Sequence, residues 1–406
     1  MTAVRLSCTV NNYHWGKRGL ASKAAQFAAT DPAIAIDSTQ PYAELWMGTH
    51  PNGPSRVFGS KQSLGELIAA DPARLLGAAA ERFGNQLPFL FKVLSIDSAL
   101  SIQAHPDKTL AQQLHRERPD TYKDDNHKPE MAVALTPFTA LSGFRRLGQI
   151  AAYLDAYPEL RALVPQSAGV FQAAVGAGAE AERAALKALF AELMRADADA
   201  VAEQLELLLA RTRDSNAQED RLVRQLSGEY PGDVGVFCVF VLNVLELAPG
   251  EAFYMGPNDP HAYISGDCIE CMATSDNVVR AGLTPKLRDV PVLLDMLTYE
   301  HGAPDAKLLQ PVPAGPGSLL YDPPIDEFSV LHTRVEPDHE EQLPPVDGPR
   351  ILIVTAGAGT MAVGGESFEL VPGTVFFVYP NSPVALCAAA ADGQPLVTYS
   401  AQCLAD

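Results

Sequence analysis

The alternation of apolar and polar positions changes texture twice along the chain. Up to about residue 146, short apolar runs are punctuated by turn-rich strings such as "PNGPS", "HPDK" and "LTPF", a pattern that predicts strands joined by tight turns. A second texture begins near "LGQIAAYLDAYPEL". In "AERAALKALFAELMR", Leu186, Leu189, Phe190 and Leu193 fall at i, i+3, i+4 and i+7, and in "DAVAEQLELLLART", Val201, Leu205 and Leu208 share one stripe. That spacing predicts amphipathic helices, ending near "GEYPGD". Strand patterning then returns, although the apolar run over 235–243 is equally compatible with a buried helix. The proline-rich "APDAKLLQPVPAGPGSLLYDPPIDEF" reads as a linker to a second β unit. There, "VPGTVFFVYP" repeats the rhythm of the upstream "LAPGEAFYMGPNDPHAY" without its histidine, as if one barrel motif were used twice.

Three polar constellations stand out against this frame. In "SIQAHPDKT", period-two alternation puts Ser101, Gln103 and His105 on one strand face and Ile102 and Ala104 on the other, and Pro106 ends the pairing. "YKDDNHKPEMAVAL" carries His127, Lys128 and Glu130 into an apolar run, where a carboxylate must be paired or bind a metal. His261, in "GPNDPHAYI", sits at another turn-to-strand junction. Two histidines, a glutamate and a glutamine make a nitrogen and oxygen set suited to a borderline divalent ion such as zinc. The plain alternative for each histidine is a hydrogen-bonded surface group, and His14, His50, His115, His127, His301, His332 and His339 are read that way. The third cluster, "TSDNVVRAGLTPK", sets Asp276, Arg280 and Lys286 around a glycine turn. It is either an anion site or a set of surface ion pairs.

Composition narrows the function. A formal net charge of −19 over 406 residues leaves no basic stripe for nucleic acid and disfavours anionic membranes. No window approaches the roughly 18 apolar residues of a membrane helix. The six cysteines are sparse, and in "CIEC" a strand would turn Cys268 and Cys271 to opposite faces, so they are expected as ordinary buried thiols in a reducing, cytoplasmic setting.

The strings "NNYHWGKRG", "PYAELWMGTHPNGPS", "LPFLFKVLSIDSALSIQAHPDK", "DDNHKPEMAVALTPFTALSGFR" and "PNDPHAYISGDCIECMATSDNVVRAGLTPKLRDV" follow one another in this order. Together they resemble type I phosphomannose isomerases, a family of cupin-fold zinc enzymes. The resemblance covers most of residues 5–295. It implies Gln103, His105, Glu130 and His261 as ligands of one zinc ion per chain. It implies catalytic roles for Arg280, Lys128 and Asp276, and substrate contacts for Ser101, Lys286, Lys92 and Glu270, with Trp15 and Glu44 lining or supporting the pocket. The implied reaction interconverts mannose 6-phosphate and fructose 6-phosphate through an enediolate, moving a proton between C1 and C2 and feeding GDP-mannose and mannose metabolism. A small phosphorylated sugar is then the partner, and the chain is expected to be a monomer, with a weak homodimer as the alternative. The fold expected is mainly β with an α-helical insertion: two cupin-like (jelly-roll) β-barrel units plus a helical domain. Residues 1–146 and 234–300 would form a discontinuous catalytic cupin domain, 147–233 the helical insertion, and 301–406 a cupin-like unit without a metal site.

Overall fold

Helix and strand take nearly equal shares of the computed structural model, which describes residues 2–390 and 393–404, so the expected mainly β chain is a mixed one. Part of the difference lies before residue 146, where Lys23–Ala28, Leu64–Ala70 and Lys108–Glu117 are helices. Each starts on a side-chain cap, from Ser22, from Ser63 in a capping box with Glu66, and from Asp107. The same residue types favour turns, which is how these starts read as turn punctuation. Among the described residues no helix is long and apolar enough to cross a membrane.

The helical block runs from Leu147–Ala156 to Gln218–Glu229. Its striped residues, including Leu186, Phe190, Leu205 and Leu208, are buried in one core with Ile102 and Ala104. The block therefore packs on the back of the strand that carries Gln103. The ambiguous run resolves into a 3-10 helix, Val234–Phe240, followed by the strand Leu242–Leu247.

Two large sheets follow open strand orders, one of twelve strands and one of eight. The longest strand of the first, His261–Ala273, makes a sharp bend. The hydroxyl of Tyr263 donates to Glu270 Oε1 at 2.8 Å, although seven residues of straight strand would separate them by about 23 Å. Gly266 makes the bend, with φ +113°. A Cβ there would come within 2.6 Å of the Pro137 carbonyl oxygen, so glycine alone fits. Along the straight part, Cys268 and Cys271 lie in different apolar clusters, on opposite faces, and all six cysteines are free.

The eight-stranded sheet gathers C-terminal strands such as Ser329–Val335, Arg350–Ala356 and Leu396–Gln402. It also takes in the first strand of the chain, Ala3–Ser7, paired with Val375–Val378. The proline-rich stretch is not a free linker. Leu308–Leu309 pairs with Ala252–Met255 in the first large sheet, while Ser318–Tyr321 pairs with Ser329–Val335 in the second.

Candidate metal centre and its cleft

Three adjacent strands set the floor of the site. Ile102–Ala104 pairs on one side with His261–Ala273, where Gln103 lies opposite His261, and on the other with Val279–Gly282, where Arg280 lies opposite Gln103. Cross-strand partners point to the same side, so register places a histidine, a glutamine and an arginine together. Ile102 and Ala104 point the other way into the helical core. Glu130 opens the strand Glu130–Ala134, hydrogen-bonded to the far arm of His261–Ala273. The bend at Gly266 brings the two arms together.

His105, Glu130 and His261 are all buried and converge. Glu130 Oε2 lies 3.3 Å from His105 Nε2 and 3.2 Å from His261 Nε2. The other ring nitrogens are engaged: His105 Nδ1 is 2.6 Å from the Asn277 carbonyl oxygen and His261 Nδ1 is 3.0 Å from that of Asp259. A carbonyl only accepts, so each Nδ1 carries the proton and each Nε2 turns a lone pair toward the carboxylate. None of these three inward atoms has a hydrogen-bond partner. Three buried acceptors so close repel one another unless a cation lies among them. Tetrahedral bonds of about 2.0–2.1 Å set ligand atoms about 3.3 Å apart, so the donor set fits a zinc-sized ion. Burial pushes His105 down to about 4 against the pull of Glu130, which keeps it in the neutral, ligating form near pH 7. On Glu130 burial works upward, but the nearby Lys128 ammonium pulls the other way, and the carboxyl lies well below its usual range. Asp259 is itself held by Lys307 at 2.6 Å and Thr298 at 3.2 Å, so the stretch read as a linker supports a histidine of this cluster.

Above the cluster opens a cleft of about 390 Å³ lined by Trp15, Glu44, Lys92, Ser101, Gln103, Lys128, Glu130, Glu270, Asp276, Arg280 and Lys286. Every residue that the resemblance implies for the site lines it or, as with His105 and His261, touches Glu130 beneath it. Lys128 Nζ is 3.4 Å from Glu130 Oε1, and Ser101 Oγ donates to Gln103 Oε1 at 3.4 Å. Lys92 lies between Glu270 at 2.9 Å and Glu44 at 3.6 Å, 5.1 Å from the centre of the Trp46 ring. Burial raises the Glu270 carboxyl despite Lys92.

Two histidines read as surface groups belong here. His50 is buried with its ring edge against Trp46, and its Nε2 lies 3.3 Å from Asp276 Oδ1. That hydrogen bond holds the Asp276 carboxyl below its usual range. His14 lines the rim with Tyr13 and Tyr230. The available signal was "GTHPNGPS", which shares the His-Pro turn of "AHPDK". His127 turns away and pairs with Glu327 on the wall of a neighbouring cavity.

Family models match three stretches of the chain: phosphomannose isomerase type I, catalytic domain, over residues 3–147; its helical insertion domain over 163–242; and its C-terminal part over 318–366. The chain is 47% identical to mannose-6-phosphate isomerase of Cryptococcus neoformans, over 92% of this chain and 93% of that protein. It is 45% identical to that of Schizosaccharomyces pombe, over 98% and 99%. Among solved structures, the apo form of the Salmonella typhimurium enzyme superposes with a TM-score of 0.84 at 31% identity, covering 100% of both chains. A mannose 6-phosphate isomerase bound with zinc and yttrium gives 0.85 at 32% identity, covering 98% of this chain and 99% of that one.

Proposed function

The chain belongs to the phosphomannose isomerase type I family, and on that premise we propose that its cleft interconverts mannose 6-phosphate and fructose 6-phosphate. One zinc ion would be held by Gln103, His105, Glu130 and His261. The observation that carries this reading is the convergence of three buried, unpartnered acceptor atoms beneath a cleft edged with cations. Zinc bound there supplies a Lewis acid toward the oxygens of the sugar.

The reaction moves a proton between C1 and C2, and a proton α to a carbonyl is weakly acidic. The negative charge that develops on the sugar oxygens must therefore be stabilised in place. Arg280, a permanent cation, does this and is a poor proton acceptor. Of the groups able to carry the proton, Glu270 has the best environment, because burial raises its carboxyl toward the working range. Asp276 is held low by His50, and Lys128 is engaged with Glu130. Lys92, already matched by two carboxylates, acts by fixing Glu270. The phosphate dianion then falls to Lys286 and Ser101.

The same reading makes the chain a cytoplasmic monomer in mannose metabolism, upstream of GDP-mannose. Its thiols are all free, which fits a reducing compartment. The open sheets are then the walls of two cupin-type jelly rolls. The test is a coupled assay for fructose 6-phosphate. Turnover of mannose 6-phosphate is expected, lost on chelation and restored by about one equivalent of zinc per chain. An inactive zinc-loaded protein, or full activity after stripping, would overturn the assignment.

A further inference from the structure

The end of the helical insertion grips the backbone of two segments that edge the cleft. Glu229 accepts the Ala99 N–H at 2.7 Å and the Tyr230 hydroxyl donates to the Ala99 carbonyl, two residues before Ser101. Asp233 reaches further. Its Oδ1 accepts from Leu283 N at 2.8 Å and Gly235 N at 2.7 Å, and its Oδ2 from Thr284 N at 3.0 Å. The relay continues through Thr284 Oγ1, which accepts from Lys286 N at 3.1 Å. Beyond Lys286, Arg288 donates to the Met194 carbonyl at 2.9 Å, at the end of the helix Ala179–Met194. The turn bearing Lys286 is thus fastened to the insertion at both ends.

That turn needs fastening. Leu283 has φ +54°, a left-handed conformation unfavourable for a bulky L residue and sustained only where the surroundings over-determine it. Gly235 and Gly282 press together behind it: a Cβ on Gly235 would lie 2.6 Å from Leu283 N, and one on Gly282 would lie 2.6 Å from Gly235 Cα. The Asp233 carboxylate fixes the direction of the peptide N–H groups on both sides of this contact. Arg280, by contrast, is placed by the register of its strand with Ile102–Ala104.

We propose that Asp233 is a positioning residue, holding the strained Leu283–Lys286 turn so that the Lys286 ammonium meets the phosphate of the substrate. This grip is what the helical insertion contributes to the reaction. The inference rests on the reading of the cleft as a sugar-phosphate isomerase site. Since Arg280 is held independently, loss of Asp233 raises KM and leaves kcat nearly unchanged. Charge alone predicts the reverse, because removing a carboxylate near an anion site tightens phosphate.

The test uses the full-length, zinc-loaded chain. Asp233→Ala is expected to raise KM for mannose 6-phosphate about ten-fold or more, with kcat within about three-fold. Lys286→Ala should act similarly, and the double variant should be no worse than Lys286→Ala alone, as for two residues acting through one contact. Asp233→Asn, which keeps one acceptor oxygen, should fall between, and it carries the test if the alanine variant does not fold. A KM within about two-fold of the unsubstituted chain in a folded, zinc-replete variant would overturn the proposal, as would multiplying effects in the double variant. Titration with inorganic phosphate reads the same grip without turnover, weakened about ten-fold in Asp233→Ala. Weakened phosphate binding in a chain that makes no fructose 6-phosphate would therefore spare the grip and sink the isomerase reading.

Discussion

Arg280 shows how much chemistry a single position can hold and how it can be isolated. It is half-buried beside Gln103, on the far side of that strand from His261, so it is close to the proposed metal ligands without belonging to them. Arg280→Ala is expected to lower kcat by about 10²–10³-fold, the scale of losing one stabiliser of developing negative charge, with zinc content unchanged by metal analysis. Loss of zinc with the arginine would make its role structural. Gln103 and His105 were legible because period-two alternation is written in the sequence, and Glu130 because a carboxylate heading an apolar run needs a partner. His50 was not. It packs on Trp46 and pairs with Asp276; a partner 226 positions away cannot be read locally, and the His-Pro turn of "GTHPNGPS" was the one hint. Asp233 is hidden for the same reason: "PGDVG" reads as a turn, while the backbone it grips lies near residue 283.

Among the elements, the strand His261–Ala273 carries most of the geometry. One arm presents His261 and the other presents Glu270 and pairs with the strands of Lys92 and Glu130. A straight strand of this length could not place both ends at one cleft. Gly266→Ala is expected to destabilise the chain by about 1–3 kcal/mol from backbone strain alone, with a further loss from the 2.6 Å approach to Pro137. It should also weaken zinc binding, since the arm bearing His261 can no longer close on Glu130. A chelator competition on the folded variant checks this, and undiminished zinc affinity would show that the bend is not what assembles the ligands. Elements with long, strongly periodic patterns, such as Ala179–Met194 and Ala198–Arg211, were readable from sequence. Short ones such as Leu64–Ala70 were not, because two turns of helix beginning at Ser63 look locally like the turn that precedes them.

At the scale of the whole molecule, the twelve-stranded sheet and the C-terminal sheet share a core. Phe89, Phe91, Met131 and Ile269 from the first pack in one cluster with Tyr321, Ile351, Phe377 and Tyr399 from the second, and Val4 and Leu6 of the first strand join them. The ion pairs Arg82–Asp326 and His127–Glu327 close the seam at the surface. Neither sheet has a complete core without the other, so the two should unfold together. The chain supplies its own reporter: its two tryptophans, Trp15 and Trp46, both line the cleft. Phe377 is fully buried in the other sheet, opposite Val4 and Ile351. Phe377→Ala should cost about 3–5 kcal/mol, as for other large-to-small changes in a packed core. In urea, the tryptophan transition, the far-ultraviolet dichroism transition and zinc release should coincide in the unsubstituted chain. In the variant all three should move together to lower denaturant. A tryptophan midpoint that stayed in place while dichroism shifted would mean that the cleft keeps its stability without the second sheet, and the shared core would then be a contact surface between independent units.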